Sequence, residues 1–311
     1  MSITRIFFAT DIHGSEICFR KFLTAAVTYK ANVAILSGDL TGKLVIPIIK
    51  YNDGSFVAHY LGVDHKGMTE DDCIRMENEI RNLGFYPIRM TQDEFEKAKS
   101  QALGDEIFKR IVCKEIERWI REAETYFKKY GIICMISPGN DDFFEIDTIL
   151  NSSSYVINPE GKVVWIDKEH EMITMAWSNP TPWNSPRECS EEELAVKIDS
   201  LIAQVSDVKN CIFNFHCPPY DSRLDDAPLL DKKMVARGEM VPVGSKSIRN
   251  AIEKYQPLLS LHGHIHESRG IQKIGRTVCV NPGSEYTEGI LRGAIINIDK
   301  NSVKGFMLTS G

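Results

Sequence analysis

A mixed α/β fold is predicted by three observations. Short β-branched runs recur along the chain, at Ile3 to Ala9, Val33 to Leu36, Ile132 to Ile136, Cys211 to Phe215 and Leu258 to Leu261. Runs of this length read as buried strands. Segments with helical spacing and N-terminal capping signals lie between them. Each run also leads into a polar cluster that is mostly flanked by glycine, as expected where strands of one sheet end together.

The elements follow in order. Ile3 to Ala9 leads into Asp11-Ile12-His13-Gly14, and Glu16 to Thr28 is the helix that returns the chain. Val33 to Leu36 is the second strand and closes at Gly38-Asp39. A long interruption comes next. Between Gly38-Asp39 and Gly139-Asn140 lie 99 residues, where one helix and one strand need about 25 to 30. Residues 43–130 are therefore read as an insertion within a single domain spanning 1–311. It opens with Leu44 to Ile49 and Phe56 to Leu61 around Asn52-Asp53-Gly54, a hairpin signal. Pro47 assigns its strand to an edge. Thr69, with Asp72 three residues on, starts a helix that stops at Gly84. Thr91 and Glu94 form a capping box for a second helical stretch, which Gly104 divides and Gly131 ends. The last helix is assigned to the core fold and the hairpin is additional. A cap over the cleft and a homodimer contact are the two open readings of that addition.

Beyond the insertion, Ile132 to Ile136 leads into Gly139-Asn140-Asp141-Asp142. Ser190 to Glu193 is another capping box, opening a helix to about Val205. Cys211 to Phe215 ends at His216, and Ser245 to Tyr255 is a third helix. Leu258 to Leu261 leads into His262-Gly263-His264-Ile265-His266. Thr277 to Val280 precedes the turn Asn281-Pro282-Gly283-Ser284. Arg292 to Leu308 holds two strands around Asp299-Lys300-Asn301.

The clusters at these run ends carry the chemistry. A site for two metal ions needs imidazoles and carboxylates that converge, with one carboxylate able to bridge. Any one of His13, His216, His264 or His266 alone would be read as a satisfied structural histidine. Together, at strand ends beside Gly14, Gly38, Gly139 and Gly263, they read as ligands, because glycine permits φ > 0 and close backbone approach.

The order and spacing of these segments resemble the calcineurin-like metallophosphoesterase superfamily, whose motifs run D-x-H, G-D, G-N-H/D, H and G-H-x-H. The resemblance implies a four-layer αββα sandwich of two mixed β-sheets with flanking helices. It implies that Asp11, His13 and His266 hold one divalent metal. Asn140, His216 and His264 would complete a second, with Asp39 bridging. Oxygen and imidazole ligands without thiolate suit manganese, iron, zinc, cobalt or nickel. One position departs from the commonest pattern. Many members follow the asparagine with a histidine that is thought to protonate the leaving group; here the residue is Asp141. A carboxyl with an ordinary pKa near 4 is ionised at neutral pH and is a poor proton donor. The run resembles the G-N-x-D phosphodiesterase-like branch.

Four further residues are singled out. Arg223 is a candidate phosphate clamp, because guanidinium matches phosphate oxygens in pairs; a solvated loop arginine is the alternative. His262 either supports a ligand or is a core histidine. Asp142 either begins a helix or takes part in chemistry. Cys217, beside His216, is the thiol expected to respond to oxidants.

Metal-dependent hydrolysis of phosphoesters, chiefly diesters, is the expected function, with a dinuclear centre activating a bridging water. Two other classes stay open. A scaffold that keeps the fold without catalysis is admitted by Asp141, and a metallonuclease would require activity that falls with salt. A net charge of −6 disfavours broad binding to nucleic acid or an anionic membrane. Residues 43–130 carry 15 Lys+Arg and 16 Asp+Glu, so the insertion offers no basic surface either. No run approaches the roughly 18 apolar residues of a membrane span, and Met1 to Arg5 shows no signal peptide. The 8 cysteines form no C-x-x-C and read as reduced thiols of a cytoplasmic protein.

Overall fold

Strand β1 (Thr4–Ala9) shows in miniature how the layers form. Ile6 and Phe8 point into one buried cluster, Phe7 and Ala9 into another, as the two-residue period of a strand requires. The computed structural model describes residues 3–230 and 235–311. After β1 come α1 (Glu16–Thr28), capped by Ser15, and β2 (Val33–Ser37). The insertion adds β3 (Val45–Lys50), β4 (Phe56–Tyr60), β5 (Val63–Met68), α2 (Glu70–Asn82), β6 (Tyr86–Thr91) and α3 (Gln92–Ser100). It runs on into the long α4 (Gly104–Tyr130), closed by Gly131 at φ +64°. Then follow β7 (Ile133–Ser137), α5 (Ile146–Leu150), β8 (Val163–Trp165), β9 (Glu171–Met175), α6 (Glu191–Ile202) and β10 (Ile212–Phe215). The chain continues through β11 (Asp226–Leu230), β12 (Ala236–Pro242), α7 (Lys246–Tyr255), β13 (Leu259–Leu261), β14 (Gly270–Ile274) and β15 (Thr277–Asn281). It ends with β16 (Arg292–Asp299) and β17 (Ser302–Ser310).

Two sheets form the centre. One has the order β17-β16-β1-β2-β7 and the other β14-β15-β13-β10-β9-β8. Both are mixed: β1, β2 and β7 run parallel, as do β9, β10, β13 and β15, while the outer hairpins are antiparallel. Between the sheets lie Ile6, Phe8, Val33, Ile35, Met135, Leu259, Leu261, Val280 and Ile296. The outer face of the first sheet packs on α1, α4 and α5 through residues such as Phe19, Phe22, Trp119, Phe127 and Ile146. The outer face of the second packs on α6 and α7 through Leu194, Ile198, Ile248 and Ile252. Helix, sheet, sheet and helix stack in that order, which is the four-layer sandwich the motifs imply.

The insertion is a third sheet rather than a lone hairpin. Its order is β5-β4-β3-β6. Helix α2 covers one face, where Ile46, Ile48, Phe56, Ala58, Met76 and Ile80 are buried together. On the other face Val45, Pro47, Ile88 and Met90 line a cavity of about 500 Å3 together with Phe95 and Ala98 of α3. Capping boxes at Thr69 and Thr91 start α2 and α3. The edge assignment for Pro47 is corrected: β3 lies between β4 and β6. Its ladder to β4 begins only at Ile48, so the missing proline N–H falls beyond the end of that ladder. The final helix α4 belongs to the main core, through Val112, Ile116, Trp119, Ile120 and Ala123.

All 8 cysteines are free thiols. Among the described residues, no helix is long and apolar enough to cross a membrane.

Candidate metal centre

Backbone hydrogen bonds bring the ligand loops together. The N–H groups of Asp11, His13 and Gly14 donate to the carbonyls of Gly38, Asp39 and Leu40 at 3.1, 2.9 and 2.8 Å. Gly38 donates to Ser137, and Gly263 donates to His216. Asp11, His13, Asp39 and His264 all adopt left-handed backbone, with φ of +53°, +40°, +41° and +66°. Non-glycine residues pay strain for this, and such strain concentrates at functional sites. Gly38 and Gly263 allow the approach: a Cβ on Gly38 would lie 2.0 Å from His216 Nδ1, and one on Gly263 would lie 2.3 Å from Asp11 Oδ2.

The side chains form two clusters, overlapped by a third of His13, Asp39 and Asp141. Asp11, His13 and His266 bring ligand atoms within 4.8 Å of one another, and so do Asp39, His216 and His264. Asp39 faces both: its Oδ2 lies 3.7 Å from His13 Nε2 and its Oδ1 3.4 Å from His216 Nε2. Asp11 Oδ1 lies 3.8 Å from His216 Nε2 and 3.6 Å from His266 Nε2. Asp11 Oδ2 is turned away and accepts from Thr10 Oγ1 and the His264 N–H. Asn140 donates through Nδ2 to Ser185 Oγ at 2.6 Å, which leaves its Oδ1 for the centre.

Five atoms here test whether a cation fits. Asp11 Oδ1, His13 Nδ1, Asn140 Oδ1 and both nitrogens of His216 are buried without a hydrogen-bond partner. Each such atom costs about 1–3 kcal/mol if left so. Carboxylate, amide oxygen and imidazole are the donors divalent first-row ions accept, so the residues fit such a cation.

The charges of the metal-free protein point the same way. Burial would raise the Asp11 carboxyl, but His216 and His266 outweigh it and hold it at about 2. Asp39 is likewise held low against burial, by His216 and His13. Burial would lower His216, yet Asp39 and Asp11 push it up to about 9. Burial dominates at His13 and His264 and lowers both to about 4. The cluster thus alternates carboxylates with imidazoles that compete for one proton population, and a cation could replace those protons.

The two adjacent aspartates divide their work. Asp142, neither a helix start nor a reacting group, is a clamp. Its carboxylate accepts from the N–H groups of Leu40, Thr41 and Gly139, each at 2.9 Å, and from Thr41 Oγ1 at 2.6 Å. It ties the Asp39 loop to the Asn140 loop. Asp141 faces the site: its N–H donates to Asp39 Oδ1 at 3.0 Å, and its carboxylate lies 4.0 Å from His13 Nδ1 and pairs with Lys43.

Other braces surround the ligands. His262 is buried and its Nδ1 lies 2.8 Å from the Phe215 carbonyl and 3.1 Å from that of Cys217. It holds the chain on both sides of His216. Asn281 Nδ2 donates to the carbonyls of Leu224, Gly263 and Ile265, and Ser284 Oγ donates to that of Asp11 at 2.6 Å. The insertion touches the same loops. Ser15 Oγ donates to the Asn82 carbonyl, and the Gly42 N–H donates to Tyr86 Oη. Arg187 is almost fully buried and donates to the Asp142 and Phe143 carbonyls while pairing with Asp147.

Arg223 lies on the loop that follows His216 and Cys217. It is exposed, with φ +62°, and no hydrogen bond or ion pair ties it to a ligand among the described residues. Cys217 is buried, its Sγ donates to Asn179 Oδ1, and burial pushes its thiol well up. A buried protonated thiol is inert, which corrects the expectation of oxidant sensitivity. Lys43 and Arg187 escaped the sequence reading, whereas the Asn281–Ser284 turn is singled out there. Only the brace left a signal, in its turn motif. A loop lysine or a distant arginine leaves none.

No family model matches the chain. Two solved crystal structures share its fold. One is 13% identical, with 99% of each chain covered and a TM-score of 0.54. The other is TT1561 of Thermus thermophilus, 14% identical, covering 100% of this chain and 99% of that one, with a TM-score of 0.53. In sequence, the chain is 40% identical over 180 residues to the uncharacterized protein MJ1162 of Methanocaldococcus jannaschii, a match that takes in 55% of this chain and 75% of that protein. An identity of that size over that share places this chain in the same family as MJ1162.

Proposed function

We propose that the protein is a metal-dependent hydrolase of phosphoesters, acting chiefly on diesters and on esters with good leaving groups, in the manner of the calcineurin-like metallophosphoesterases its motifs resemble. The observation that carries this reading is the pair of Asp/His clusters with Asp39 facing both. Asp11, His13 and His266 would hold one divalent ion, and Asn140, His216 and His264 the other, with Asp39 shared. When bound, such ions supply Lewis acidity toward water and toward the phosphoryl oxygens.

The chain's own residues do the rest. Asp142, His262 and Asn281 hold the ligand loops in register through backbone groups. Tyr286 packs on the His13 ring at 4.7 Å between centroids and limits its rotation. Lys43 offsets the charge of Asp141 beside the site and offers an ammonium to an anionic substrate. Asp141 replaces the histidine proton donor of many relatives, so departure of the leaving group relies on its own acidity.

The test is hydrolysis of bis(4-nitrophenyl) phosphate by the purified protein with added manganese. Asp39→Asn and His264→Ala should each lower the rate more than about 100-fold, beyond what loss of an outer support does. Stoichiometric metal by elemental analysis should fall in both. Rates and metal content equal to the parent's would overturn the assignment.

A further inference from the structure

A second cavity adjoins the metal centre and is lined by charge. Its volume is about 390 Å3, and His266 forms part of its wall, so it shares a residue with the first ligand cluster. Tyr286 lies between the two spaces, packed on the rings of both His13 and His266. Arg269 and Arg292 also line the cavity. Neither takes part in holding the ligand loops.

Both guanidiniums are only partly satisfied. Arg292 Nη2 pairs with Glu285 at 2.5 Å, while its Nε is buried with no hydrogen-bond partner. Arg269 Nη2 donates to the Thr309 carbonyl at 3.2 Å, and Arg269 has no carboxylate partner among the described residues. Burial, and then the positive charge of Arg292, depress the Arg269 guanidinium. Glu267 also lines the cavity, and both it and Arg269 are exposed at its mouth. Two guanidiniums that repel each other and line one cavity, with Glu285 paired to Arg292 alone, are suited to an added oxyanion, which a guanidinium holds with forked donors.

We propose that this cavity is the subsite for a second oxyanion of the substrate, a phosphate or carboxylate carried on one arm of the phosphoester. This rests on the phosphoester-hydrolase reading and narrows its substrate class. The phosphorus to be attacked would lie at the clusters, and the arm with the second anion would extend past Tyr286 toward Arg269 and Arg292.

The experiment compares two diesters with the same leaving group, phenyl 4-nitrophenyl phosphate and 4-carboxyphenyl 4-nitrophenyl phosphate. The parent with manganese should prefer the carboxylate-bearing ester in kcat/KM. Arg269→Ala should reduce that preference about tenfold, the size of one charge-assisted hydrogen bond, and Arg269→Lys should reduce it less. A parent without the preference, or a variant that keeps all of it, would overturn the proposal. A second measurement does not depend on turnover. Calorimetric titration of the metal-free protein with inorganic pyrophosphate should show a Kd weakened about tenfold in Arg269→Ala. If the metal-loaded parent cleaves neither ester, the hydrolase reading fails, and the titration alone decides the cavity: equal Kd values would sink it.

Discussion

In the inserted sheet, Thr69 with Asp72 and Thr91 with Glu94 close reciprocal caps, and Arg89 joins Glu70 and Glu77. Tyr60 Oη is the insertion's only buried side-chain polar atom without a partner among the described residues. In the ligand loops the pattern is reversed. Asp11, His13, Asn140 and His216 keep buried atoms unpartnered, and four candidate ligands hold left-handed backbone. The insertion follows the rules that make a stable sheet. The loops break those rules at one point, and their supports (Asp142, His262, Asn281) are the residues that make the breach tolerable. Strain and unmet polarity that the surroundings over-determine are the marks of a site rather than of a core.

The comparison can be broken at its strongest support. Asp142→Ala removes the acceptor for three backbone amides and the Thr41 hydroxyl. It should cost about 3 kcal/mol in denaturant unfolding, and it should weaken metal binding, because the Asp39 and Asn140 loops lose their tie. An unfolding free energy within about 0.5 kcal/mol of the parent's would show that the clamp is dispensable.

The seam between the regions is read by two glycines with almost the same backbone. Gly84 has φ +84° and Gly54 φ +86°. A Cβ on Gly84 would meet the His13 carbonyl oxygen at 2.2 Å, whereas one on Gly54 meets nothing within 4 Å. Gly54→Ala should cost about 1 kcal/mol of backbone strain. Gly84→Ala should cost about 2 kcal/mol or more and lower metal affinity. Equal effects on stability and metal binding would mean that the insertion does not press on the His13 loop.

A smaller effect separates the regions by pH. Burial lowers the His262 pKa from 6.5 to about 4, so the folded state binds fewer protons there than the unfolded chain. The resulting stability is present above pH 6.5 and is lost as pH falls through 6.5 toward 4. His262→Gln removes this share. The unfolding free energy of the metal-free variant should fall less steeply across that window, by at most about 1.4 kcal/mol per pH unit. Parallel curves for parent and variant would exclude His262 as a source of the acid sensitivity.

The smallest effect belongs to the insertion's own logic. Thr69→Ala deletes one half of an exposed capping box and should cost about 1 kcal/mol, with metal content and turnover unchanged. A loss of turnover without a loss of stability would join α2 to the site and erase the contrast.

Much of this molecule is written locally. The strand runs, the helix from Glu16 to Thr28, the capping boxes and the ligand motifs at the strand ends depend on neighbours a few residues apart, so they are legible in the chain alone. The four layers are not written that way: periodicity alone reads as mixed α/β, and the sandwich is what the resemblance of the motifs implies and the packing of the two sheets forms. Other features depend on partners far away in sequence. β3 reads as an edge strand at Pro47 until β6 pairs with it from the far side of α2. Asp141 and Asp142 are the same residue type at adjacent positions. One meets Lys43 and the ligands, and the other meets the amides of Leu40, Thr41 and Gly139. Arg269 and Arg292 come to one cavity from different strands and loops. Local propensity determined which elements form and where the candidate ligands stand. Tertiary packing alone decided which carboxylate is a clamp and which faces the chemistry, because burial and hydrogen-bond partners are properties of the assembled loops, not of any one segment.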